Sequence, residues 1–387
     1  MAPRISPPSP RRAALTALCA LLAGTSTARA QGSPRPQGAR PVLVVTAGAP
    51  GNRQSLRPLP APDARPLGGR PLTLRGVDHA YALINTPAEL SPDGTLLAFE
   101  RGGRPYVRHL PSGVELALVR GRMRDVECRF VGFAPDSRRI AYSLSASQAM
   151  EGPPSIFPVP EGVYVATLDV QEPAPGARAR LPTLRVTQST RLQGTDENVS
   201  FWSADGAALL GREHQAQYRE ALRRTPVDGG PAAVLRAVRS QFGFLQLHTR
   251  GDRAVYQHAA LNAQDRPTAT TLAAFSLAPE GASSEPRTLV QVRHNNSGPE
   301  LSPDGALVSY TDRGPDGGLQ LFVVPFDGSA APRALHPCRG TCDVRWESPS
   351  SLLLVHNRAL LRLRLDGSAP ETLVPQDVVT VLVGGGS

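Results

Sequence analysis

The stretch ELSPDGTLLAF, residues 89–99, returns almost unchanged as ELSPDGALVSY at residues 300–310. Weaker copies read GFAPDSRRIAY (132–142), FWSADGAALLG (201–211), LHTRGDRAVYQ (247–257) and RWESPSSLLLV (345–355). Asp-Gly marks a tight turn: Gly takes the positive φ such turns need, and Asp bonds its own backbone. A short apolar stretch precedes each turn, and three to five residues rich in Leu, Val, Ala, Phe and Tyr follow it. Each copy therefore reads as strand, turn, strand.

A second alternating pattern with a Gly-containing turn follows every copy, as in PYVRHLPSGVELALV (105–119) and LQLFVVPFDGSAAPRAL (319–335). That is a second hairpin, so each unit is four antiparallel strands. The turn markers Asp93, Asp136, Asp205, Gly251, Asp304 and Ser350 lie 43, 69, 46, 53 and 46 residues apart. Four-stranded units at this spacing are propeller blades. The fold class is all-β, and six copies predict a six-bladed β-propeller. The long second unit carries an insertion over 143–162. A helical solenoid fails, because the apolar period is near two and Pro and Gly interrupt every stretch long enough for a helix.

The xLSPDGxxxAF pattern, followed by a YVxxL strand and a DG turn, resembles the WD40-like (PD40) repeats of TolB-like β-propellers. Similar repeats occur in the propeller domains of prolyl-oligopeptidase-type peptidases. The resemblance spans roughly residues 84–375, is strong in the first and fifth repeats, and is weak in the fourth. It implies a fold; propellers host many unrelated functions.

The sequence divides into a signal peptide over 1–30, a Pro-rich linker over 31–70 and the propeller over 71–387. Arg4, Arg11 and Arg12 precede an apolar run from Ala13 to Gly24, and Ala28-Arg29-Ala30 supplies a small-x-small cleavage pattern before Gln31. This predicts export to the periplasm or beyond the cell after cleavage near Ala30. No other segment approaches the roughly 20 apolar residues of a membrane-spanning helix. Within the linker, residues 41–46 (PVLVVT) are strand-like. They compete with Leu72–Leu74 and with Val378–Val383 as the strand that closes the ring, and a seventh blade built from these remnants is the alternative.

All 42 basic residues are Arg, which excludes Schiff-base and P-loop chemistry. The charge of +9 falls to +5 once four Arg leave with the signal peptide. No Arg-rich run with interleaved aromatics points to nucleic acid. Cys338 and Cys342, spaced CRGTC, suit a local disulfide in an exported protein. The competing reading is metal binding with His336 beside them. Cys128 is left over, as a buried thiol.

Strand order puts the long, variable connections on one face, where binding residues concentrate. His214, His258, His294, Asp312, His336 and His356 are the binding-face candidates. A metal held there by His or carboxylate ligands would need residues from several blades, since no two histidines form a local chelating pair. No G-x-S-x-G elbow is present, and no catalytic residue is assigned. The Asp residues of the SPDG turns read as turn formers. The leading expectation is a monomeric, non-catalytic scaffold without cofactor, docking a protein or peptide as the TolB-like resemblance implies. The rival is a metal-dependent lactonase- or phytase-like enzyme with its site at the channel mouth.

Overall fold

The computed structural model describes residues 40–384, apart from 48–53, 60–71, 75–87, 102–103, 120–125, 147–160, 172, 174–180, 193–198, 217–218, 240–244, 265, 278–283, 294–297 and 339–341. The signal peptide, most of the Pro-rich stretch and His294 lie outside them. Every regular element among the described residues is a strand, and they form seven four-stranded antiparallel sheets. No helix among them is long and apolar enough to cross a membrane.

The six repeats make six of these sheets. Blade 1 opens with Glu89–Leu90 and Leu96–Arg101, blade 2 with Val126–Phe133 and Arg139–Ala146, and blade 3 with Val199–Trp202 and Ala208–Ala216. Blade 4 opens with Leu245–Arg250, blade 5 with Glu300–Leu301 and blade 6 with Asp343–Ser348. The seventh sheet is the alternative assembled from remnants. It runs Val378–Val383, Val42–Ala47, Gln54–Pro58, Leu72–Leu74, so the three rival closing strands share one blade. The strands of the propeller thus begin at Val42, inside the segment expected to be linker. The physical reason is that a run of Val and Leu finds an edge to pair with: Leu43 opposes Leu382, and Val44 opposes Val381.

The SPDG segments build the turns through their own side chains. The Ser91 hydroxyl donates to Asp93 Oδ1 (2.6 Å) and accepts from the Leu96 amide (2.9 Å). Asp93 Oδ1 also accepts the Thr95 amide at 2.9 Å, and Gly94 sits at φ 74°. The same bonds recur at Ser302–Leu307 and Ser203–Ala208. These aspartates are turn formers.

Side chains alternate between the two neighbours of each blade. Leu43 and Val45 of the closing blade pack with Leu97 and Phe99 of blade 1, while Val44 packs with Leu353 and Val355 of blade 6. Seven such apolar layers complete the ring. Being covered on both faces, the second strands read as continuous apolar runs: Leu96, Leu97, Ala98 and Phe99 are all buried. Of the aromatics, Phe99, Phe133, Tyr142, Trp202, Tyr310 and Trp346 are buried in these layers. Phe201 and Phe322 pack partly buried against them.

Candidate functional site

The first strands of successive blades touch one another, and the strand Val378–Val383 touches those of blades 6 and 1. These are the innermost strands, and they line the axial channel. One register position in each faces its neighbours around the axis. It is the residue paired one or two steps before the turn: Glu89 opposite Ala98, Gly132 opposite Ala141, Phe201 opposite Leu210, His248 opposite Val255, Glu300 opposite Ser309 and Arg345 opposite Leu353.

Neighbours in this ring are joined directly. Trp346 Nε1 donates to the Glu300 carbonyl at 3.1 Å, as Trp202 Nε1 does to Gly132 at 2.8 Å. His248 Nδ1 accepts the Leu301 amide at 3.2 Å, and its ring meets Phe201 edge-on at 6.2 Å between centroids. A bulge between Leu245 and His248, with Gln246 at φ 51°, aims this strand. Arg250 lies two residues further on.

Arg40, just before the closing blade, completes the constellation. Its backbone amide donates to the Glu347 carbonyl (3.1 Å), its Nη1 to the Trp346 carbonyl (3.0 Å) and its Nε to the Gly384 carbonyl. Arg345 Nη1 contacts Asp343 Oδ1 at 3.0 Å, and Asp343 Oδ2 accepts the Thr380 hydroxyl at 2.6 Å. The channel therefore carries three guanidinium groups and three carboxylates.

Burial within the ring governs their protonation. It pushes the Glu89 carboxyl up to about 7, against the pull of Arg345 and Arg40. Glu300 is raised for the same reason, although Arg345, Arg40 and Arg250 oppose the shift. Burial, reinforced by Arg250, brings Arg40 down to about 9. Burial and then Arg250, Arg40 and Arg345 hold His248 well below the usual histidine range. The neutral ring suits the acceptor role of its Nδ1. Arg345 is raised, chiefly by Asp343.

The residues singled out from sequence lie elsewhere. His214 is exposed on blade 3. His258 packs beside Tyr256, 5.9 Å between centroids, with Nε2 3.5 Å from the Arg239 carbonyl. Asp312 is buried and accepts the amides of Arg293 (3.0 and 3.2 Å) and Arg313 (2.7 Å). His336 and His356 come together across blades 5 and 6, at 5.3 Å and 79°. Among the described residues no group of three or more His, Cys, Asp or Glu is placed to hold a metal. Cys338 and Cys342 are disulfide-bonded with Cα atoms 6.0 Å apart, and Cys128 is free and buried.

Sequence reasoning missed Glu89, His248, Arg250, Glu300, Asp343, Arg345 and Arg40. A signal was present. Glu89 and Glu300 are the first letters of the two best repeat copies, and Gly132, Phe201 and Arg345 are the first letters of three others. Reading the repeats for their turns passed over the position that varies.

No family model matches the chain, and no curated protein sequence matches it. Many solved structures do. The β-propeller domain of the Trilobed protease from Pyrococcus furiosus aligns at TM-score 0.50 and 11% identity, over 88% of this chain and 98% of that one. TolB from Acinetobacter baumannii aligns at 0.44 and 14%, over 89% of this chain and 65% of TolB. Dipeptidyl peptidase 4 from Porphyromonas gingivalis aligns at 0.49 and 11%, over 90% of this chain and 54% of the peptidase. The chain thus spans about two thirds of TolB and about half of the peptidase. At these identities the likeness establishes the β-propeller fold and nothing finer.

Proposed function

We propose that this chain is an exported, non-catalytic propeller of the TolB-like, PD40-repeat kind that docks a protein or peptide at its axial channel. The observation that carries this reading is the charged lining. Glu89, Glu300 and Arg345 occupy equivalent positions on the innermost strands, with Arg40, Arg250 and Asp343 beside them; burial shifts the protonation of Glu89 and Arg40, yet Arg345 keeps 45% of its side chain open. Open charge inside a rigid apolar ring gives specificity to whatever enters. The repeated aspartates are engaged in turns and offer no catalytic set. Export is supported by the n-region, apolar run and cleavage pattern of residues 1–30 and by the disulfide, which persists in oxidising compartments.

Site-specific photocross-linking in the exporting host tests the reading. A cross-linker at Thr380, beside Asp343 in the channel, should give a discrete adduct, and one at Thr187, exposed on the outer strand of blade 2, should give none. Equal labelling at both positions, or none at Thr380, would count against docking at the axis. Elemental analysis addresses the rival enzyme: one tightly held metal per chain, lost on replacing His258 and His356 by Ala, would overturn the scaffold reading.

A further inference from the structure

The most open charged side chain of the channel is Arg345. Its Nη1 is engaged by Asp343 Oδ1 at 3.0 Å and by the Val344 carbonyl at 2.8 Å. The other donors of the planar fork, Nε and Nη2, form no bond among the described residues. Arg40 and Arg250 lie close enough to add to the positive potential. Opposing them, the Glu89 and Glu300 carboxylates make no contact ion pair among the described residues, and Glu300 Oε2 is enclosed without a hydrogen-bond partner.

This balance selects the ligand. Three guanidinium groups face Asp343 and two carboxyls, Glu89 and Glu300, that burial makes harder to ionise, and His248 is neutral, so the site is neutral to weakly positive near pH 7. Such a site accepts one added negative charge, and a second is disfavoured to the extent that Glu89 and Glu300 are ionised. A carboxylate is planar and takes parallel N–H bonds from the free edge of a guanidinium.

We propose that the channel binds the terminal carboxylate of a peptide, with the open edge of the Arg345 guanidinium as its hydrogen-bond donor and Arg40 and Arg250 supplying positive potential. The inference rests on the docking reading and names the group recognised. The two carboxylates tune the site downwards, so neutralising one strengthens binding.

The test titrates the mature protein calorimetrically with N-acetyl-Ala-Ala-Ala as free acid, with its C-terminal amide, and with inorganic phosphate. The free acid should bind at least tenfold more tightly than either. Arg345→Gln should weaken it at least tenfold. Arg345→Lys, which keeps charge but loses the fork, should fall between, and Glu300→Gln should tighten it severalfold. Thermal melts establish that each variant is folded. Equal affinity for acid and amide, no binding of either, tighter binding of phosphate, or an unaffected Arg345→Gln protein would each overturn the inference. Failure of the peptides with the Thr380 adduct intact removes the carboxylate assignment and leaves docking standing; loss of both removes both.

Discussion

Glu89 shows what one residue pays for its place on the axis. Its carboxyl, raised to about 7 by burial, binds a proton in the folded chain at pH values where the unfolded chain has released it. Its contribution is therefore full below about 4.5 and is lost as pH rises through about 7. Glu89→Gln should remove that loss: the variant should match the parent near pH 4 and exceed it by about 1–3 kcal/mol near pH 8. Denaturant melts across this range decide it, and identical pH profiles would show that the carboxyl is not buried as described. Glu300 acts in the same direction, so the stability of the Gln variant should still fall gently with rising pH. At the disulfide, Cys338 and Cys342 are buried with Leu321, Val344 and Trp346, so the bond sits in the layer between blades 5 and 6. Thiol counting on the denatured, unreduced mature protein should find one free cysteine, Cys128. Three free thiols would refute the bond.

At the scale of the turn and strand, two glycines make a controlled pair. Gly94 and Gly251 both sit in the left-handed region, at φ 74° and 61°. A Cβ on Gly251 meets nothing within 4 Å, whereas one on Gly94 falls 2.4 Å from Pro41 Cβ. Both Ala variants lose about 1 kcal/mol to backbone strain. Gly94→Ala must in addition push Pro41 out of the closing blade, and its melting temperature should drop clearly further than that of Gly251→Ala. Equal drops would mean that Pro41 does not lean on the turn. The comparison also shows how much of the fold was legible. The recurring turn motifs, Asp-Gly in three copies and variants in the others, together with the apolar runs mark the hairpins of the six repeats, because those signals are local. The contact of Gly94 with Pro41 joins residues from the first blade and the supposed linker, and no local pattern encodes it. The channel site was obscured in the same way. The repeats were recognised by what recurs, and Glu89, Phe201, His248 and Arg345 stand where the repeats differ. The candidates drew notice as residue types, although Asp312 and His258 are engaged by nearby backbone and, among the described residues, only His336 and His356 meet.

The whole molecule depends on a closure made from both ends of the chain. Strand Val378–Val383 is the innermost of the seventh sheet, and its partners Val42–Ala47, Gln54–Pro58 and Leu72–Leu74 come from the opposite terminus. Arg40 fastens the seam by bonding to Trp346 in blade 6 and to Gly384 at the end of the closing strand. Gly384 in turn donates to the Pro41 carbonyl at 2.8 Å. Such a ring gains its cooperativity from having no free blade face. Removing residues 378–387 would expose Val44 and Leu353 on one side and leave Val42–Ala47 with an unpaired edge, a template for aggregation. The truncated protein should unfold at a markedly lower temperature, over a broader transition, and should associate on standing. Arg40→Ala is the milder version. It removes two side-chain bonds but keeps the strand, so it should cost about 1–3 kcal/mol and leave a single sharp transition. Differential scanning calorimetry separates the cases. A truncated chain that melts as sharply and as high as the parent would show that the ring does not need its last strand.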